Sequence, residues 1–474
     1  MSGLSPTISL YDTLTGGRVT FDSREQKKIS IYNCGLTVYD RPHLGHAKEV
    51  VLFDLLRRVL AAKGFSVTYV QNFTDADDKI IDKARRAGLT AKQVSDRYIT
   101  EYFDDFAALN VPPADVHPRA SENIKEMQEM ISGLMDRGHA YAVKSGVYFD
   151  VASLPGYGRL SKMSVEELKS GARVEPDPHK RSPADFALWK LYEDEPLWDS
   201  PWGKGRPGWH IECSAMVRKL IGEPVDIHGG GADLIFPHHE NELAQTEAYS
   251  GRTLARSWVH VGLLRTRDEK MSKSLGNVLP AGEAVRLYGP NTVRYYLLSA
   301  HYRGQLDLLE ASIRKANENW RVIESAAYSL SRRQGGEGGL DEAAVAAAVK
   351  GFDECLSSDI DTPGALAQLV RLSRMVNKLF SQGRLGEKAE ATLGPAFRGM
   401  FDAFGFRLPS LGADEARQVE EMVASRAGLR AKGLYEQADE VRRELMRRKV
   451  LLIDWGGGTM WMKSELWDAP AAGA

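Results

Sequence analysis

The feature that most constrains the fold is an alternation of strand and helix patterns near the start of the chain. Residues 28–37 alternate apolar and polar side chains as a strand does, and residues 46–63 then space their apolar side chains as a helix does. Residues 65–73 predict a second strand. Because two parallel strands need a crossover connection, this order predicts an α/β fold with a parallel sheet and helices on its faces.

A second helix is expected to follow the second strand. Thr74 is a candidate N-cap, since a threonine hydroxyl can accept a hydrogen bond from the backbone N–H groups at a helix start. Asp75, Asp77 and Asp78 would then lie in the first turn, where the helix dipole favours acidic side chains.

Length and composition indicate a folded chain of several domains. The 474 residues are 43% hydrophobic, and at ~100–200 residues per domain they suggest about three domains. Lys and Arg number 62 against 64 Asp and Glu. This balance argues against wholesale coating of nucleic acid but allows a local basic patch.

Nothing in the sequence suggests export or a membrane. No apolar run approaches the ~18 residues of a membrane span, and residues 1–22 lack the pattern of a secretory or transit peptide. Cys34, Cys213 and Cys355 are too few and too scattered for a disulfide framework. We therefore expect a cytoplasmic protein with no membrane segment.

Proline divides the α/β pattern into two parts. Residues 111–208 are rich in proline, with Trp and Tyr between short elements, and predict an insertion between two halves of one α/β domain. The second half resumes near Ile211. Later segments are predicted in this order: an alanine-rich helical region over 308–404 with helices at 341–350 and 363–382, a charged helix pair after Gly412, and a strand-like tail over 450–462.

Two short motifs are suited to binding phosphate. In the first, His43 and His46 stand three residues apart at the start of a helix, so both can face one point above its N-terminus. Gly45 between them lets a ligand approach the backbone, where free N–H groups and the helix dipole favour phosphate. Taken alone, such a motif is also compatible with an ordinary capping turn.

The second motif is Lys-Met-Ser-Lys-Ser, over residues 270–274. Lys270 and Lys273 lie three residues apart on a segment with serine and glycine, where they can bind the phosphates of a leaving pyrophosphate. A short Lys/Ser stretch by itself is often a solvated loop. The two motifs together, each tied to one half of the α/β pattern, are much more specific.

Four side chains form a candidate metal site. His238 and Glu242 are four residues apart and would stack on one helix face if Pro237 opens a helix. Cys34 lies near the histidine motif and Cys213 lies in the second half. Two thiolates, an imidazole and a carboxylate suit zinc, although buried free cysteines are also common in apolar cores.

The chain resembles the cysteinyl-tRNA synthetases, a family of class I aminoacyl-tRNA synthetases. Leu44 stands where the family's histidine motif usually has isoleucine, an apolar exchange of similar size. The likeness extends over nearly the whole chain, including the C-terminal tail. It rests on both motifs and on four further segments, residues 32–40, 208–214, 226–231 and 236–242.

The resemblance implies a Rossmann-type class I catalytic domain that is split by an insertion and followed by a helical bundle and a small C-terminal domain. The implied boundaries are 1–110 for the first half of the catalytic domain, 111–208 for the connective insertion, 209–264 for the second half with the zinc ligands, 265–307 for the lysine motif and stem-contact region, 308–411 for the tRNA-binding bundle and 412–474 for the anticodon-binding domain.

The resemblance also implies the activity of a cysteine–tRNA ligase. Such an enzyme activates L-cysteine with ATP, accompanied by Mg²⁺, and transfers it to the 3′ end of tRNA(Cys) in translation. The family's single zinc ion, whose ligands fall on Cys34, Cys213, His238 and Glu242, binds the substrate thiolate, which a serine hydroxyl replaces poorly.

Other site residues are implied by the same resemblance. They are His43, His46, Lys270 and Lys273 for catalysis; His43, His46, Gly231, Asp233, His260 and Lys273 for ATP; and Gly35, Thr37, Trp209 and His228 for the substrate cysteine.

Basic and aromatic residues near the C-terminus suit the binding of unpaired bases. By the family's pattern, Arg430, Asp439 and Asp454 read the anticodon. Tyr435, which is available for stacking on a base, stands where the family has tryptophan. The family also implies a monomer.

Two other functions stay open. A related ligase joins activated cysteine to an amino-sugar in mycothiol synthesis and shares the zinc site and adenylate chemistry. It has no use for an anticodon domain, whereas residues 412–462 resemble the synthetase. A catalytically silent RNA-binding relative is the second alternative, against which the two intact phosphate motifs and the four zinc ligands argue.

Overall fold

The computed structural model describes most of the chain between Ser5 and Lys463. The described residues are 5–163, 178–194, 196–265, 278–332, 336, 338–409, 411–454 and 458–463, with the backbone alone at 266, 269, 270 and 455. Among them, no helix is both long and apolar enough to cross a membrane.

The first part of the chain follows the predicted alternation of strand and helix. The helix predicted over residues 46–63 is confirmed, and it starts two residues earlier because His43 caps it. The elements are β1 (Thr7–Tyr11), β2 (Arg18–Asp22), β3 (Lys28–Asn33), α1 (Leu44–Ala62), β4 (Ser66–Gln71), α2 (Asp78–Ala87) and α3 (Ala91–Ala108).

Both predicted strands end earlier than expected. β3 ends at Asn33 and β4 ends at Gln71. Beyond these ends the two segments stay paired outside the sheet, where the Val38 N–H donates to the Thr74 carbonyl at 3.2 Å. The apolar–polar alternation that predicted longer strands therefore includes loop residues after β3 and β4, which are hydrogen-bonded to each other but lie outside the sheet.

The predicted cap of α2 is wrong. Thr74 donates its hydroxyl to Glu212 Oε2 at 2.9 Å, a partner far away in sequence. Asp77 caps α2 instead by accepting from the Lys79 N–H at 2.8 Å, so Asp78 is the acidic residue of the first turn.

The described part of residues 111–208 holds a helix packed on a small antiparallel sheet. Met127 and Ile131 of the helix and Phe149 and Leu188 of the sheet are buried in one apolar cluster. The elements are α4 (Ile124–Asp136), β5 (Ala140–Val143), β6 (Gly146–Phe149), β7 (Phe186–Leu191) and β8 (Gly205–Pro207), with the strands in that order across the sheet.

The α/β pattern then resumes. A wide helical turn over Ile235–His239 leads directly into a helix, so the expectation that His238 and Glu242 share one helix face is met. The elements are α5 (Trp209–Leu220), β9 (Val225–Gly231), α6 (Glu240–Ser250), β10 (Ala255–Val261), β11 (Leu264–Thr266), β12 (Glu269–Lys270), α7 (Ala281–Tyr288), α8 (Pro290–Leu298) and β13 (Leu306–Asp307).

A four-stranded parallel sheet joins the two halves in the order β10–β9–β3–β4. Ile31 of β3 pairs with Tyr69 on one side and with Ile227 on the other. Phe53 of α1 packs on β9 at Gly229, where a Cβ atom would come within 2.1 Å of the Phe53 ring. One sheet is therefore built from residues that precede position 111 and residues that follow position 208.

The C-terminal part is helical and ends in a hairpin. The helices predicted over 341–350 and 363–382 are confirmed, as are the helix pair after Gly412 and the strand-like tail. The elements are α9 (Glu310–Leu330), α10 (Glu342–Ser357), α11 (Thr362–Ser381), α12 (Glu387–Ala403), α13 (Ala413–Ala431), α14 (Tyr435–Arg447), β14 (Val450–Trp455) and β15 (Gly458–Lys463).

A buried ion pair joins the sheet domain to the helical part. Arg294 of α8 is 1% exposed and bonds the carboxylate of Asp54 on α1, which is also 1% exposed. The same guanidinium donates to the Leu109 carbonyl at 2.9 Å and to the Phe404 carbonyl, just after α3 and α12. Arg58 also donates to Asp54, at 2.9 Å, from a side chain that is 26% exposed.

This arrangement predicts that Arg294→Met destabilises the protein by about 3–5 kcal/mol, because a buried carboxylate and two carbonyl groups lose their shared donor. Arg314→Met is the control, and it should cost at most about 1 kcal/mol because its ion pair with Glu310 is exposed. Urea unfolding followed by circular dichroism measures both. Equal shifts in the two variants would contradict the assignment of Arg294 as the joint.

Candidate active site

Functional side chains converge at the carboxyl ends of the parallel strands. Cys34 directly follows β3, and its N–H donates to the Gly229 carbonyl of β9 at 2.9 Å. Cys213 on α5 and Glu242 on α6 face it from the helices. Open α/β sheets bind their ligands at this edge.

Cys34, Cys213, His238 and Glu242 form one buried cluster, with each residue at most 3% exposed. Cys34 Sγ lies 3.7 Å from Cys213 Sγ and 3.2 Å from Glu242 Oε1. His238 Nε2 lies 3.6 Å from Cys213 Sγ and 2.9 Å from Glu242 Oε1. The structure thus brings together the four residues that the sequence analysis selects as metal ligands.

Two separations in this cluster, those that involve Cys213, fit a tetrahedral zinc ion. Zn–S bonds of about 2.3 Å and Zn–N bonds of about 2.0 Å put two sulfurs about 3.8 Å apart, and a sulfur and a nitrogen about 3.5 Å apart. The Cys34–Cys213 and Cys213–His238 separations are 3.7 and 3.6 Å. Two sulfurs, one nitrogen and one oxygen also form a donor set that favours zinc.

A second group of potential ligands overlaps the first. The potential ligand atoms of His228 and His239 lie within 4.8 Å of those of Cys34 and Glu242. His228, which is predicted to contact the substrate cysteine, is therefore a neighbour of the candidate metal site. His239 Nδ1 lies 2.7 Å from His260 Nε2, and its Nε2 lies 4.0 Å from Glu242 Oε1. The first group is the better zinc site because it supplies two sulfurs.

Burial and close charges shift the pKa values within the cluster. Burial opposes the charged form of His238, but the charge of Glu242 and hydrogen bonds with Cys213 and Glu242 together outweigh it and raise the pKa of His238 to about 10. Burial also opposes the Cys213 thiolate, yet hydrogen bonding with Cys34 and His238 lowers the pKa of Cys213 to about 6. Burial raises the pKa of Cys34, and the Cys213 thiol adds to that effect.

Aromatic and imidazole rings support the cluster from its outer side. Trp209 stacks on the ring of His238 with centroids 4.0 Å apart. Trp209 is 36% exposed whereas His238 is 1% exposed, so the indole separates the cluster from solvent. The Nδ1 atoms of His210 and His238 lie 2.9 Å apart, which fixes the His238 ring with Nε2 toward the sulfur of Cys213.

Gly35 lines the same edge, next to Cys34. Its N–H donates to Asn72 Oδ1 at 2.8 Å, and a Cβ at this position would lie 1.6 Å from the Asn72 carbonyl oxygen. Thr37 lies two residues further along, opposite Thr74. This close approach of two backbones explains why glycine occupies position 35.

The histidine motif forms the start of α1. The rings of His43 and His46 stack with centroids 3.6 Å apart, and each Nδ1 accepts from the other residue's N–H, at 3.2 and 3.3 Å. The backbone before and after His43 bonds to the segment leading into α7, since the Leu44 N–H donates to the Leu279 carbonyl and the Ala281 N–H to the Pro42 carbonyl.

A cleft of about 90 Å³ opens beside this motif. It brings together four of the residues predicted to bind ATP, and it continues along the backbone that follows β10. The lining residues include His43, His46, Gly231 and Asp233, together with Gly45, Glu49 and residues 261–264.

His260 is placed differently from the other predicted ATP residues. It is 5% exposed, and both ring nitrogens face protein groups, Nε2 towards His239 and Nδ1 towards the Thr13 hydroxyl at 2.7 Å. Burial lowers the pKa of His260 to about 3. The next residue, Val261, lines the cleft instead.

Comparison with known proteins agrees with this geometry. The family model for the tRNA synthetases class I (C) catalytic domain matches residues 20–318. The cysteine–tRNA ligase of Carboxydothermus hydrogenoformans is 42% identical over 464 residues, covering 96% of this chain and 100% of that protein. That of Geobacillus thermodenitrificans is 40% identical, covering 97% and 100%. The chain belongs to the cysteine–tRNA ligase family.

Solved structures of other synthetases share the fold. Mycobacterium tuberculosis methionyl-tRNA synthetase in complex with methionyl-adenylate gives a TM-score of 0.57 at 17% identity, covering 80% of this chain and 90% of that one. The Agrobacterium radiobacter K84 LeuRS in its ternary complex with tRNA and LeuAMS gives 0.59 at 10% identity, covering 80% and 84%. The predicted class I architecture is therefore confirmed.

The family's second phosphate motif is only partly described in this chain. Lys270 ends the short strand β12, whose backbone pairs with Arg265 of β11. Its side chain and the whole of Lys273 lie outside the described residues.

The residues implied by the family for anticodon reading lie in the C-terminal part. Arg430 bonds Asp454 at 2.7 Å, and the buried Arg426 holds the same carboxylate with two bonds of 2.7 and 2.8 Å. Asp439 and Tyr435 on α14 are exposed, Tyr435 by 63%. The geometry brings Arg430 and Asp454 together and leaves Tyr435 facing solvent.

Sequence reasoning missed several polar residues that shape this site. Lys48 is buried on α1 and donates to the Gly262 and Gly304 carbonyls at 2.7 and 2.6 Å, and burial lowers its pKa to about 8. Glu49 beside it lines the cleft. The sequence feature that could have revealed them is the pair Lys48 and Glu49, two charged residues on the otherwise apolar, buried side of α1.

The metal assignment predicts that purified protein contains zinc, and that Cys34→Ser and Cys213→Ser each remove most of it, because a hydroxyl is a far poorer zinc ligand than a thiolate. Cys355→Ser is the matched control, since Cys355 on α10 takes no part in the cluster. Elemental analysis by mass spectrometry measures zinc per chain. Zinc loss in the control alone, or a wild type purified without zinc, would contradict the assignment.

Proposed function

We propose that this chain is a cysteine–tRNA ligase that activates L-cysteine with ATP and transfers it to the 3′ end of tRNA(Cys). The observation that carries the proposal is the buried cluster of Cys34, Cys213, His238 and Glu242 at the sheet edge that also holds the histidine cleft. Relatives named cysteine–tRNA ligase at 42% identity over 96% of the chain support it.

The proposal gives each part of the chain a task. Residues 1–110 and 209–264 form the catalytic domain, 111–208 the connective insertion, and 265–307 the lysine-motif and stem-contact region. Residues 308–411 form the tRNA-binding bundle and 412–474 the anticodon-binding domain. The sheet shared by β3, β4, β9 and β10 supports the split of the catalytic domain.

In the first reaction, the cysteine carboxylate attacks the α-phosphorus of ATP in line, and pyrophosphate leaves. His43 and His46 stand at the N-terminus of α1, where the imidazole rings and the positive end of the helix dipole can stabilise an α-phosphate as its charge grows. Lys270 and Lys273 are proposed to hold the leaving pyrophosphate with Mg²⁺. Catalysis then rests on positioning and charge stabilisation.

Cys34, Cys213, His238 and Glu242 are proposed to hold zinc. When bound, zinc supplies a soft Lewis acid that coordinates a thiolate far better than a hydroxyl. Trp209, stacked on His238 at 4.0 Å, covers the site, and Gly35 and Thr37 line the edge beside Cys34. Selection against serine then occurs at the binding step, so an editing domain is unnecessary.

In the second reaction, a hydroxyl of the terminal ribose of tRNA attacks the carbonyl carbon of cysteinyl-adenylate, and AMP leaves. Arg430, Asp439 and Asp454 are proposed to select the tRNA at its anticodon. The bond from Arg426 to Asp454 supports this assignment, because it fixes the carboxylate and thereby the direction of Arg430.

Charging of total tRNA with labelled cysteine and ATP tests the function. We expect acid-precipitable label with cysteine and at least about a hundredfold less with serine, since a coordinated thiolate is lost. Cysteine-dependent ATP–pyrophosphate exchange without transfer to tRNA would contradict the proposed acceptor and favour the amino-sugar ligase. The absence of both reactions would favour a silent RNA-binding relative.

The anticodon assignment predicts that Arg430→Ala raises the KM for tRNA about tenfold in charging, because a base contact worth roughly 1–3 kcal/mol is lost. ATP–pyrophosphate exchange without tRNA should stay unchanged. Arg417→Ala on α13 is the matched control, since the ion-pair partner of this arginine within the described part of the chain is its exposed neighbour Asp414, at 2.7 Å. Equal effects of the two variants on charging would contradict the assignment.

A further inference from the structure

One carboxyl group in the histidine cleft has no role in the reaction described above. Glu49 lies on α1, one helical turn beyond His46 and on the same side of the helix. It is 9% exposed, yet it lines the cleft together with His43, His46 and Asp233.

Contacts on two strands hold this carboxyl group in place. Glu49 Oε1 accepts from Asn33 Nδ2 at 3.0 Å, at the end of β3. The backbone of Gly231, at the end of β9, lies beside the carboxyl group and favours its charged form. Glu49 Oε2 would lie 3.5 Å from a Cβ at Gly231, so the group lies next to the turn that carries Asp233.

The chemistry of the cleft indicates which part of a nucleotide Glu49 faces. Phosphate belongs at the histidine end, where N–H groups and the helix dipole favour an anion, and a carboxylate there would repel it. One helical turn away, about 5.4 Å along α1, lies one of the two neighbours of the α-phosphate, the β-phosphate or the ribose. A carboxyl group would repel the β-phosphate, so the ribose is the neighbour that fits. Its hydroxyl groups are the donors and acceptors that a carboxyl group can bind.

Burial makes this placement compatible with a nearby polyphosphate. Removal of Glu49 from water, helped by the charge of Asp233, outweighs the hydrogen bond from Asn33 and raises the pKa of Glu49 to about 8. A protonated carboxyl group both donates and accepts, as a hydroxyl group does.

We propose that Glu49 is a specificity-determining residue that hydrogen-bonds a ribose hydroxyl of the nucleotide and thereby selects ATP over deoxyadenosine triphosphates. The inference rests on the proposed function, because it requires that ATP occupies this cleft. Its alternative is a purely structural role, in which Glu49 only connects Asn33 and Gly231.

Cysteine-dependent ATP–pyrophosphate exchange with ATP, 2′-deoxyATP and 3′-deoxyATP separates these two roles. The wild type should use at least one deoxy analogue with a kcat/KM about fivefold or more below that of ATP, the size expected for one hydrogen bond. In Glu49→Met the ratio should fall to near one. Glu49→Asp, which retracts the carboxyl group by one methylene, should lower it in the same direction.

A ratio between nucleotides isolates recognition from structural damage. A purely structural role would lower the kcat/KM of all three nucleotides by one factor and leave the ratio unchanged in both variants. Glu25→Gln is the matched control, because Glu25 is exposed and lies after β2 away from the cleft. Its ratio should equal that of the wild type.

Three results would overturn the inference. They are equal use of ATP and both analogues by the wild type, an unchanged ratio in Glu49→Met, and an unchanged ratio in Glu49→Asp when the methionine variant does not fold. Absence of exchange with ATP itself would overturn the proposed function, and this inference with it. Exchange with indifferent use of the analogues overturns the inference alone.

Discussion

The pairing of β3 with β9 is the interaction on which the rest of the structure depends. It places Ile31 beside Ile227, so two stretches separated by the whole insertion become neighbours. The pairing continues one step past the strand, where the Cys34 N–H donates to the Gly229 carbonyl. Cys34 and His228 therefore come within 3.4 Å of each other. Without this register, the sulfur of Cys34 would not face the helices that carry the other ligands.

The strand register brings four ionisable side chains close together in a buried position, which is energetically unfavourable without a counter-charge. Two thiols, an imidazole and a carboxylate lie within 4.8 Å of one another and away from water. Burial disfavours charge on each of them, while Glu242 favours the charged form of His238, and hydrogen bonds with Cys34 and His238 favour the Cys213 thiolate. A divalent cation is the natural complement to such a set, because it neutralises thiolate and carboxylate together.

The sequence predicts those parts of the site that are local in the chain. The spacing of His43 and His46 and that of His238 and Glu242 each follow from one helical turn, and both pairs meet as expected. Thr74 was assigned wrongly because its partner, Glu212, lies far along the chain. Local capping rules therefore could not reveal its true bond.

Buried polar residues were the least predictable part of the site. Lys48 and Glu49 interrupt an apolar helix face, but their partners at Gly262, Gly304 and Asn33 belong to other elements. Only the assembled sheet brings these groups within hydrogen-bonding distance. The helical periodicity of apolar residues shows that Lys48 and Glu49 are charged residues at buried positions, but it does not identify their hydrogen-bond partners.

The joint at Arg294 has a mechanical meaning. Its guanidinium is shared by the carboxylate of Asp54 and by backbone carbonyls just after α3 and α12. Rotation of the helical part against the sheet would leave the buried guanidinium of Arg294 without its partners. The two parts therefore keep a fixed relative position. A ligand that contacts both parts at once must span the fixed distance between them. The fold can therefore select such a ligand by its length as well as by its chemical groups.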